Sequence, residues 1–244
     1  VTGVQTCALP IFRCNESVKL GPLHEIARRL GAGHVATGHY ARVEADGDHI
    51  ALRVARDRDR DQSYFLWPAP AEALRALVLP LGGLTKPEAR EAAARHGLLN
   101  ADKPDSTDLC FVEGGAYAEF VAARIAARPG PIETVDGRVI GAHEGIHGFT
   151  VGQRRGVGAG GAPRYVLRIV PERDAVVVGN ADEASARAVR VEQVRWLTAD
   201  RPEGVTVKLR YRHPGVAATV TSRDGESLTL DLASPQRAIG RAHV

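Results

Sequence analysis

One stretch of the sequence decides the fold: Leu30-Gly31-Ala32-Gly33-His34-Val35-Ala36-Thr37-Gly38-His39-Tyr40. Before it, residues 17–30 carry apolar side chains at helical spacing, namely Val18, Leu23, Ile26, Ala27 and Leu30. The two glycines end that helix, and residues 34–37 follow as a short, buried strand. A helix that leads directly into a buried strand is typical of a parallel α/β sheet.

Further elements continue this α/β pattern. Residues 49–55 predict another strand, and Thr85-Lys86-Pro87-Glu88 is a capping box that begins a helix. That helix ends near His96, immediately before Gly97. Residues 117–127 predict one more helix.

The pattern changes at Pro129-Gly130-Pro131, where we place a domain boundary. Beyond it, strands are predicted near 164–170, 174–179, 189–196, 205–212, 216–222 and 227–232, with turns at Gly204, Pro214-Gly215 and Asp224-Gly225. The predicted fold class is therefore α/β with β-rich additions. A partial Rossmann-like domain spans 12–127, a small β-rich central domain spans 128–186, and a truncated β-barrel spans 187–238.

Both ends of the chain are interpreted as foreign to the protein. Residues 1–11 and 239–244 are typical of a translated sequencing-library adapter and its reverse complement. The alternative for the first segment, a signal peptide, would need a basic start and a long apolar core, and it has neither. The expected native sequence is residues 12–238, truncated at both ends.

Two cysteines, Cys14 and Cys110, remain once Cys7 is assigned to the adapter. Their wide separation fits neither a disulfide framework nor a zinc site, so no metal is predicted. Both have polar neighbours, which favour sulfur chemistry over a buried structural role. No apolar run reaches the roughly 20 residues of a membrane span, and reduced thiols indicate a cytoplasmic protein. A net charge of +3 permits a nucleic-acid partner without requiring one.

Two motifs in the first half suggest ligand contacts. Gly38 and His39 follow the strand at 34–37, at the edge where open α/β sheets bind ligands. Glycine there allows close approach of a nucleotide, whereas His39 is equally compatible with a structural role. The segment 60–66 begins polar and ends apolar, as a binding loop or a solvated charge run would.

Two basic segments lie in the second half. Gly152-Gln153-Arg154-Arg155-Gly156-Val157-Gly158 fits either an anion-binding loop or a tight basic hairpin. The strand at 205–212 alternates, with Val205, Val207, Leu209 and Tyr211 on one face and Lys208, Arg210 and Arg212 on the other. The cationic face suits a phosphate backbone, or it is simply solvated.

Taken together, these segments resemble the tRNA-specific 2-thiouridylase (MnmA/TrmU) family. The matching stretches are Arg-Cys-Asn-Glu at 13–16, Ala-Thr-Gly-His-Tyr-Ala-Arg at 36–42, Asp-Gln-Ser-Tyr-Phe-Leu at 61–66, Pro-Leu-Gly at 80–82, Lys-Pro-Asp-Ser-Thr-Asp-Leu-Cys-Phe at 103–111 and Thr-Val-Gly-Gln-Arg-Arg-Gly at 150–156. The resemblance implies a PP-loop domain of the adenine nucleotide alpha hydrolase-like class at 12–127. It also implies ATP-dependent thiolation of the wobble uridine in the tRNAs for Lys, Glu and Gln.

The resemblance assigns the two cysteines distinct roles. Cys110 matches the residue that carries a persulfide, and Cys14 matches the second catalytic cysteine. Cys14 would resolve the bond between Cys110 and the transferred sulfur, either forming a Cys14–Cys110 disulfide or releasing hydrosulfide. ATP, with Mg²⁺, and a persulfide donor are implied, the donor being a sulfur-relay protein or a cysteine desulfurase.

The same match assigns the binding residues. Gly38 falls on an ATP contact, and tRNA contacts fall on His39, Arg60, Asp61, Gln62, Arg210 and Tyr211. Arg60 replaces a commoner lysine, which keeps the charge but changes the hydrogen-bond geometry.

The sequence departs from the family by lacking its Ser-Gly-Gly-Val-Asp-Ser phosphate loop, so the fragment itself is expected to be inactive. A tRNA-binding module without chemistry, or another PP-loop sulfurtransferase or amidotransferase, remain the alternatives.

Overall fold

The computed structural model describes residues 12, 14–47, 49–103, 124, 128–157, 163–211 and 213–237. These residues divide into two compact units. The α/β unit consists of residues up to 103 together with Arg195–Arg201, and the β unit consists of 128–194 with 202–237. Among the described helices, none is both long and apolar enough to cross a membrane.

The α/β unit contains a parallel strand pair, as the sequence predicts. Its elements are a π-helical segment Asn15–Leu20, α1 Gly21–Arg29, β1 Val35–Ala36, β2 Ala41–Asp46, β3 His49–Val54, α2 Ala71–Arg75, β4 Leu77–Val78 and α3 Lys86–Arg95. Strand β1 pairs in parallel with β4, whereas β2 and β3 form an antiparallel hairpin. Short 3₁₀ turns occur at Arg58–Arg60 and Ser63–Phe65.

The capping box predicted for α3 is confirmed. The Thr85 main-chain N–H donates to Glu88 at 2.7 Å, and the Thr85 hydroxyl bonds the same carboxylate at 2.9 Å. Gly97, with φ of +64°, follows the end of the helix in the left-handed conformation that glycine tolerates best.

The core of the α/β unit lies between the β2–β3 hairpin and the turns that follow it. Its buried members are Leu20, Ala41, Ile50, Leu66, Ala69, Leu74 and Leu77. The later segment Arg195–Arg201 also packs here, since Leu197 is half-buried against this core and its carbonyl accepts from Ile50 N–H at 3.1 Å.

The apolar face predicted for the first helix is exposed in the described part of the chain. Val18 is 61% exposed, Ile26 51% and Leu30 80%. Strand β1, which the sequence predicts to be buried, is only half-buried to exposed, so the predicted burial is wrong for these residues. Helical spacing of apolar residues reports which side of a helix favours burial, but it does not supply the element that covers that side.

The β unit contains two four-stranded sheets. The first has the order β6-β5-β8-β7, with β5 Gly130–Thr134, β6 Val139–His143, β7 Tyr165–Val170 and β8 Ala175–Gly179. The second is antiparallel with the order β10-β11-β12-β9, with β9 Ser185–Val191, β10 Gly204–Val207, β11 Val216–Asp224 and β12 Ser227–Arg237. Strand β8 is buried along its whole length, which explains its run of three valines.

Most predicted strands of the β unit are confirmed, but two have wrong bounds. The strand predicted at 189–196 is shifted to 185–191, because the chain leaves the sheet there and residues 195–201 join the α/β unit. The strand predicted at 205–212 ends at Val207, since a turn follows in which His213 N–H bonds Arg210 C=O at 3.0 Å. The helix predicted at 117–127 lies, apart from Arg124, outside the described residues.

Candidate active site

The segment 61–65 joins three stretches of the α/β unit that the sequence singles out. Asp61 is buried, and its carboxylate accepts hydrogen bonds from Ala55 N–H at 2.8 Å and from the Ser63 hydroxyl at 2.8 Å. A longer bond of 3.4 Å comes from Ser63 N–H. The carboxylate therefore fixes the turn on which its neighbours stand. We call residues 61–65 the hub.

Gln62 connects the hub to the end of β1. Its side-chain Oε1 accepts from Tyr40 N–H at 2.9 Å, and its own N–H donates to Tyr40 C=O at 2.8 Å. Two bonds between the same pair of residues fix the separation of the two loops. Residues 38–40 and 60–62, which are far apart in the sequence, are thus brought together as one surface.

Asn15 connects the hub to Cys14. The side chain is 1% exposed, and its Nδ2 donates to Phe65 C=O at 2.9 Å. Cys14 is a free, half-buried thiol immediately before the π-helical segment. Glu16 adds an ion pair with Arg195 at 2.8 Å, and Arg195 also donates to Pro68 C=O.

His39 is held in a neutral, oriented state. Its Nδ1 lies 3.0 Å from the Thr37 hydroxyl. Burial, and secondarily the positive charge of Lys19, lower the pKa of His39 to about 4. The ring therefore acts as a neutral hydrogen-bonding group near pH 7 rather than as a cation.

Gly38 leaves open space at the end of β1. A Cβ built there would meet only Leu81 Cδ1, at 3.8 Å, which is ordinary van der Waals contact. Packing within the described chain therefore does not require glycine at this position. The close approach of a ligand that the sequence predicts at this glycine stays a prediction.

The Arg58–Arg60 turn is anchored at its start, and Arg60 is exposed. Asp57 accepts a hydrogen bond from Lys86 N–H at 2.9 Å, at the N-terminus of α3. Together with the Asp61 bonds, this anchor holds the arginine turn in place. The sequence analysis did not predict that Asp57 bonds the start of α3 or that Asn15 bonds Phe65. A polar residue outside a regular pattern gives no signal of the partner it will bond.

The Gly/Arg loop of the β unit is a braced turn over its described part. The Gln153 side chain accepts from Thr150 N–H at 3.0 Å and donates to Arg155 C=O at 2.9 Å. Arg154 and Arg155 are exposed on this turn. These bonds fit the interpretation of the segment as a tight basic turn. The turn also presents the Arg154 and Arg155 side chains to solvent.

The remaining predicted residues lie outside the α/β unit or outside the described chain. Arg210 is exposed and Tyr211 half-buried, in the turn after β10, while Val207 and Leu209 are buried. The predicted alternation therefore persists beyond the end of the strand. Cys110 lies outside the described residues, and the described ones contain no group of His, Cys, Asp and Glu able to hold a metal ion.

Comparison with known proteins identifies three consecutive domains. Residues 5–114 match the family described as tRNA methyl transferase HUP domain, residues 118–180 the tRNA methyl transferase PRC-barrel domain, and residues 186–242 the aminomethyltransferase beta-barrel domain. A relative from Synechococcus, named tRNA-specific 2-thiouridylase MnmA, is 41% identical over 95% of this chain and 67% of its own length. The chain belongs to the tRNA-specific 2-thiouridylase family.

Other members of the family agree with this assignment. A 2-thiouridylase MnmA from Synechococcus sp. (strain JA-3-3Ab) is 44% identical over 93% of the chain and 64% of its own length. One from Rhodospirillum centenum is 44% identical over 95% of the chain and 62% of its own length. The chain thus spans slightly less than two thirds of the length of these two 2-thiouridylases. The fold class predicted from the sequence, α/β with a partial Rossmann-like domain followed by β-rich domains, is confirmed.

Proposed function

We propose that the protein transfers sulfur to carbon 2 of the wobble uridine in the tRNAs for Lys, Glu and Gln, using ATP. The observation that carries the proposal is the hub, which joins Cys14, through Asn15, to the loops at 38–40 and 60–62. A thiol whose segment is bonded to the same hub as a candidate nucleotide-binding edge suits sulfur transfer to an activated base. The names of the relatives, tRNA-specific 2-thiouridylase, support the same reaction.

ATP supplies the activation in this proposal, because adenylation turns the carbon-2 oxygen of uridine into a leaving group. The terminal sulfur of a persulfide on Cys110 then attacks carbon 2, and AMP departs with that oxygen. The Cys14 thiolate attacks the Sγ of Cys110, which breaks the S–S bond to the transferred sulfur. The products are 2-thiouridine and a Cys14–Cys110 disulfide, which a reductant restores to two thiols. In the alternative order, the Cys14 thiolate first attacks the Sγ of the Cys110 persulfide, which releases hydrosulfide and forms the Cys14–Cys110 disulfide. The hydrosulfide then attacks carbon 2, and AMP departs with the carbon-2 oxygen.

The binding residues divide between the two units. In the α/β unit we propose that Gly38 contacts ATP, with Mg²⁺ bound to its phosphates, and that His39, Arg60 and Gln62 contact tRNA. Gln62 Oε1 is occupied by Tyr40, which leaves its Nε2 to reach RNA. Asp61, also assigned to tRNA by the family match, has its carboxylate engaged with the chain, so its contact would come from the main chain.

In the β unit we propose that Arg210 and Tyr211 contact tRNA. Arg210 is exposed, and Tyr211 is half-buried next to it. A guanidinium beside an aromatic ring suits an RNA phosphate and a stacked base. The sulfur would arrive from a sulfur-relay protein or a cysteine desulfurase, and the setting would be the reducing cytoplasm.

The family descriptions mention methyl transfer, whereas the relatives are named for thiolation. The cysteine-bearing segments favour thiolation, because persulfide transfer requires thiols and methyl transfer does not. A tRNA-binding module without chemistry is the alternative of another class.

The test uses a form of the protein with the full length of its relatives, incubated with ATP, a persulfide donor and tRNA. Mass spectrometry of the tRNA measures 2-thiouridine. Cys110→Ser should abolish both thiolation and protein-bound persulfide, whereas Cys14→Ser should block turnover while Cys110 still accepts sulfur. Near-normal thiolation by Cys110→Ser would disprove the cysteine assignment. Binding of tRNA without any thiolation by the wild-type form would favour the non-catalytic module.

A further inference from the structure

Asn15 is a buried polar residue whose presence packing alone does not explain. Only 1% of its surface is exposed, and its Nδ2 donates to Phe65 C=O at 2.9 Å. Its other polar atom, Oδ1, is buried with no hydrogen-bond partner among the described residues. A buried amide with one unpaired atom costs free energy that a leucine of similar size would not. The fold therefore gains something specific from the single bond that the amide does make.

That bond joins two parts of the chain 50 residues apart. The acceptor belongs to the Ser63–Phe65 turn of the hub, which Asp61 braces and Gln62 ties to Tyr40. The donor belongs to the residue directly after Cys14. The amide orientation is set by chemistry, because the reversed amide would place its oxygen against the Phe65 carbonyl oxygen.

We propose that Asn15 is a positioning residue for Cys14, holding the thiol at the hub through its hydrogen bond to the Phe65 carbonyl. The inference rests on the proposed function in one respect: that function requires Cys14 to meet the bound uridine. The structural claim, that the Asn15 amide limits how far the Cys14 segment moves from the hub, does not depend on that function.

Two substitutions of similar size separate the donor from the shape of the side chain. Asn15→Leu removes the donor at every pH. Asn15→Asp keeps the shape and restores a donor only when the new carboxyl is protonated, because a protonated carboxyl donates one O–H. Burial, the facing Phe65 carbonyl and the lack, in the described part of the chain, of a donor near Oδ1 all disfavour the ionised form. They should raise the pKa of the new carboxyl above its ordinary value near 4.

The experiment measures alkylation of Cys14 by iodoacetamide between pH 5 and pH 8, in a chain where Cys7 and Cys110 are serine. Each rate is divided by the rate of the unsubstituted Asn15 chain at the same pH, which removes the pH dependence that the chains share. In the Asn15→Leu variant, Cys14 should react about fivefold faster at every pH. Losing one net hydrogen bond, worth about 1 kcal/mol, should raise the population of the state in which the Cys14 segment has left the hub by that factor. Asn15→Asp should match the Asn15 chain at low pH and approach the leucine variant as the pH rises.

A ratio near one for both variants at all pH values would overturn the inference, and so would an Asn15→Asp ratio that does not change with pH. If Asn15→Leu fails to fold, the reversible pH dependence of Asn15→Asp decides alone. Lys19→Ala, on the same helical segment, is the matched control and should leave the ratio near one. Because this readout needs neither ATP nor tRNA, its failure differs from failure of the proposed function, which the thiolation activity of Cys110→Ser tests.

Discussion

The two units bury their apolar side chains to very different degrees. In the β unit, every residue of β8 is buried between strands β5 and β7. In the α/β unit, β1 and β4 form a two-stranded parallel pair, and Leu30 on the preceding helix is 80% exposed. Strand β8 pairs in parallel with β5 and antiparallel with β7, so both of its edges are hydrogen-bonded within one sheet. The contrast shows that the parallel pair of the β unit lies inside a larger sheet, whereas the α/β unit presents an uncovered apolar surface among the described residues.

The largest expected effect tests this contrast directly, with two leucines in opposite surroundings. Leu230→Ala, at a fully buried position of β12, should lower the free energy of unfolding of the β unit by about 2–5 kcal/mol. Leu30→Ala should change stability by less than about 0.5 kcal/mol. Hydrogen exchange followed by mass spectrometry reports each unit separately. Comparable losses for both variants would mean that the helix face is covered.

The hub of the α/β unit should depend on polar contacts more than on apolar burial. Asp61→Ala leaves the Ala55 N–H and the Ser63 hydroxyl without their acceptor, and should cost about 1–3 kcal/mol in chemical denaturation. Asp61→Asn retains an acceptor for the Ala55 N–H and should lose less. Asp59→Ala, at an exposed site two residues earlier, is the control. Equal losses of stability in Asp59→Ala and Asp61→Ala would show that the Asp61 carboxylate does not brace the hub.

Acid should destabilise the α/β unit at a higher pH than the β unit. The pKa of His39 falls from 6.5 in the unfolded chain to about 4 in the folded one, chiefly through burial, so protonation favours unfolding. Its contribution to stability is present above pH 6.5 and is lost as the pH falls from 6.5 towards 4. In the β unit, the hydrogen bond from Arg173 is the main cause that lowers the pKa of Glu133, so that contribution is lost only below about pH 4.5.

Thermal unfolding followed from pH 7 to pH 4 checks this order. His39→Gln should flatten the loss between pH 6.5 and pH 4.5, and Glu133→Gln should flatten only the part at lower pH. If the His39→Gln protein loses stability between pH 6.5 and pH 4.5 as steeply as the wild type, a group other than His39 causes the acid sensitivity of the α/β unit.

The smallest expected effects are on the salt dependence of tRNA binding, which reports how many cations each unit contributes to the RNA contact. Replacing Lys208, Arg210 and Arg212 by alanine in a full-length form should weaken tRNA binding and reduce the slope of log K against log salt by up to about 2–3. Arg60→Ala, in the α/β unit, should reduce that slope by up to about 1. Filter binding over a range of salt concentrations measures both. An unchanged slope in the triple variant would show that this face points away from RNA.

The sequence predicted local structure well where a single pattern governs it. The capping box at Thr85 and the strand at 49–55 depend on neighbouring residues, and both formed as expected. The strand at 205–212 ended early because a turn bonded through His213 interrupts it, although the alternation of buried and exposed residues continues. The site was predicted as separate segments, and the bonds between them were not.

Sequence by itself determined the family, the order of domains and the residue types of the candidate site, because motifs and periodicity are properties of neighbouring residues. Only the tertiary structure decided that Asp61 turns inward, that Gln62 makes two hydrogen bonds with Tyr40, and that Asn15 is buried and bonded to Phe65. The physical reason is that a polar side chain in a loop has several possible partners at similar free energy. Which partner it takes depends on segments that folding brings within about 3 Å of it.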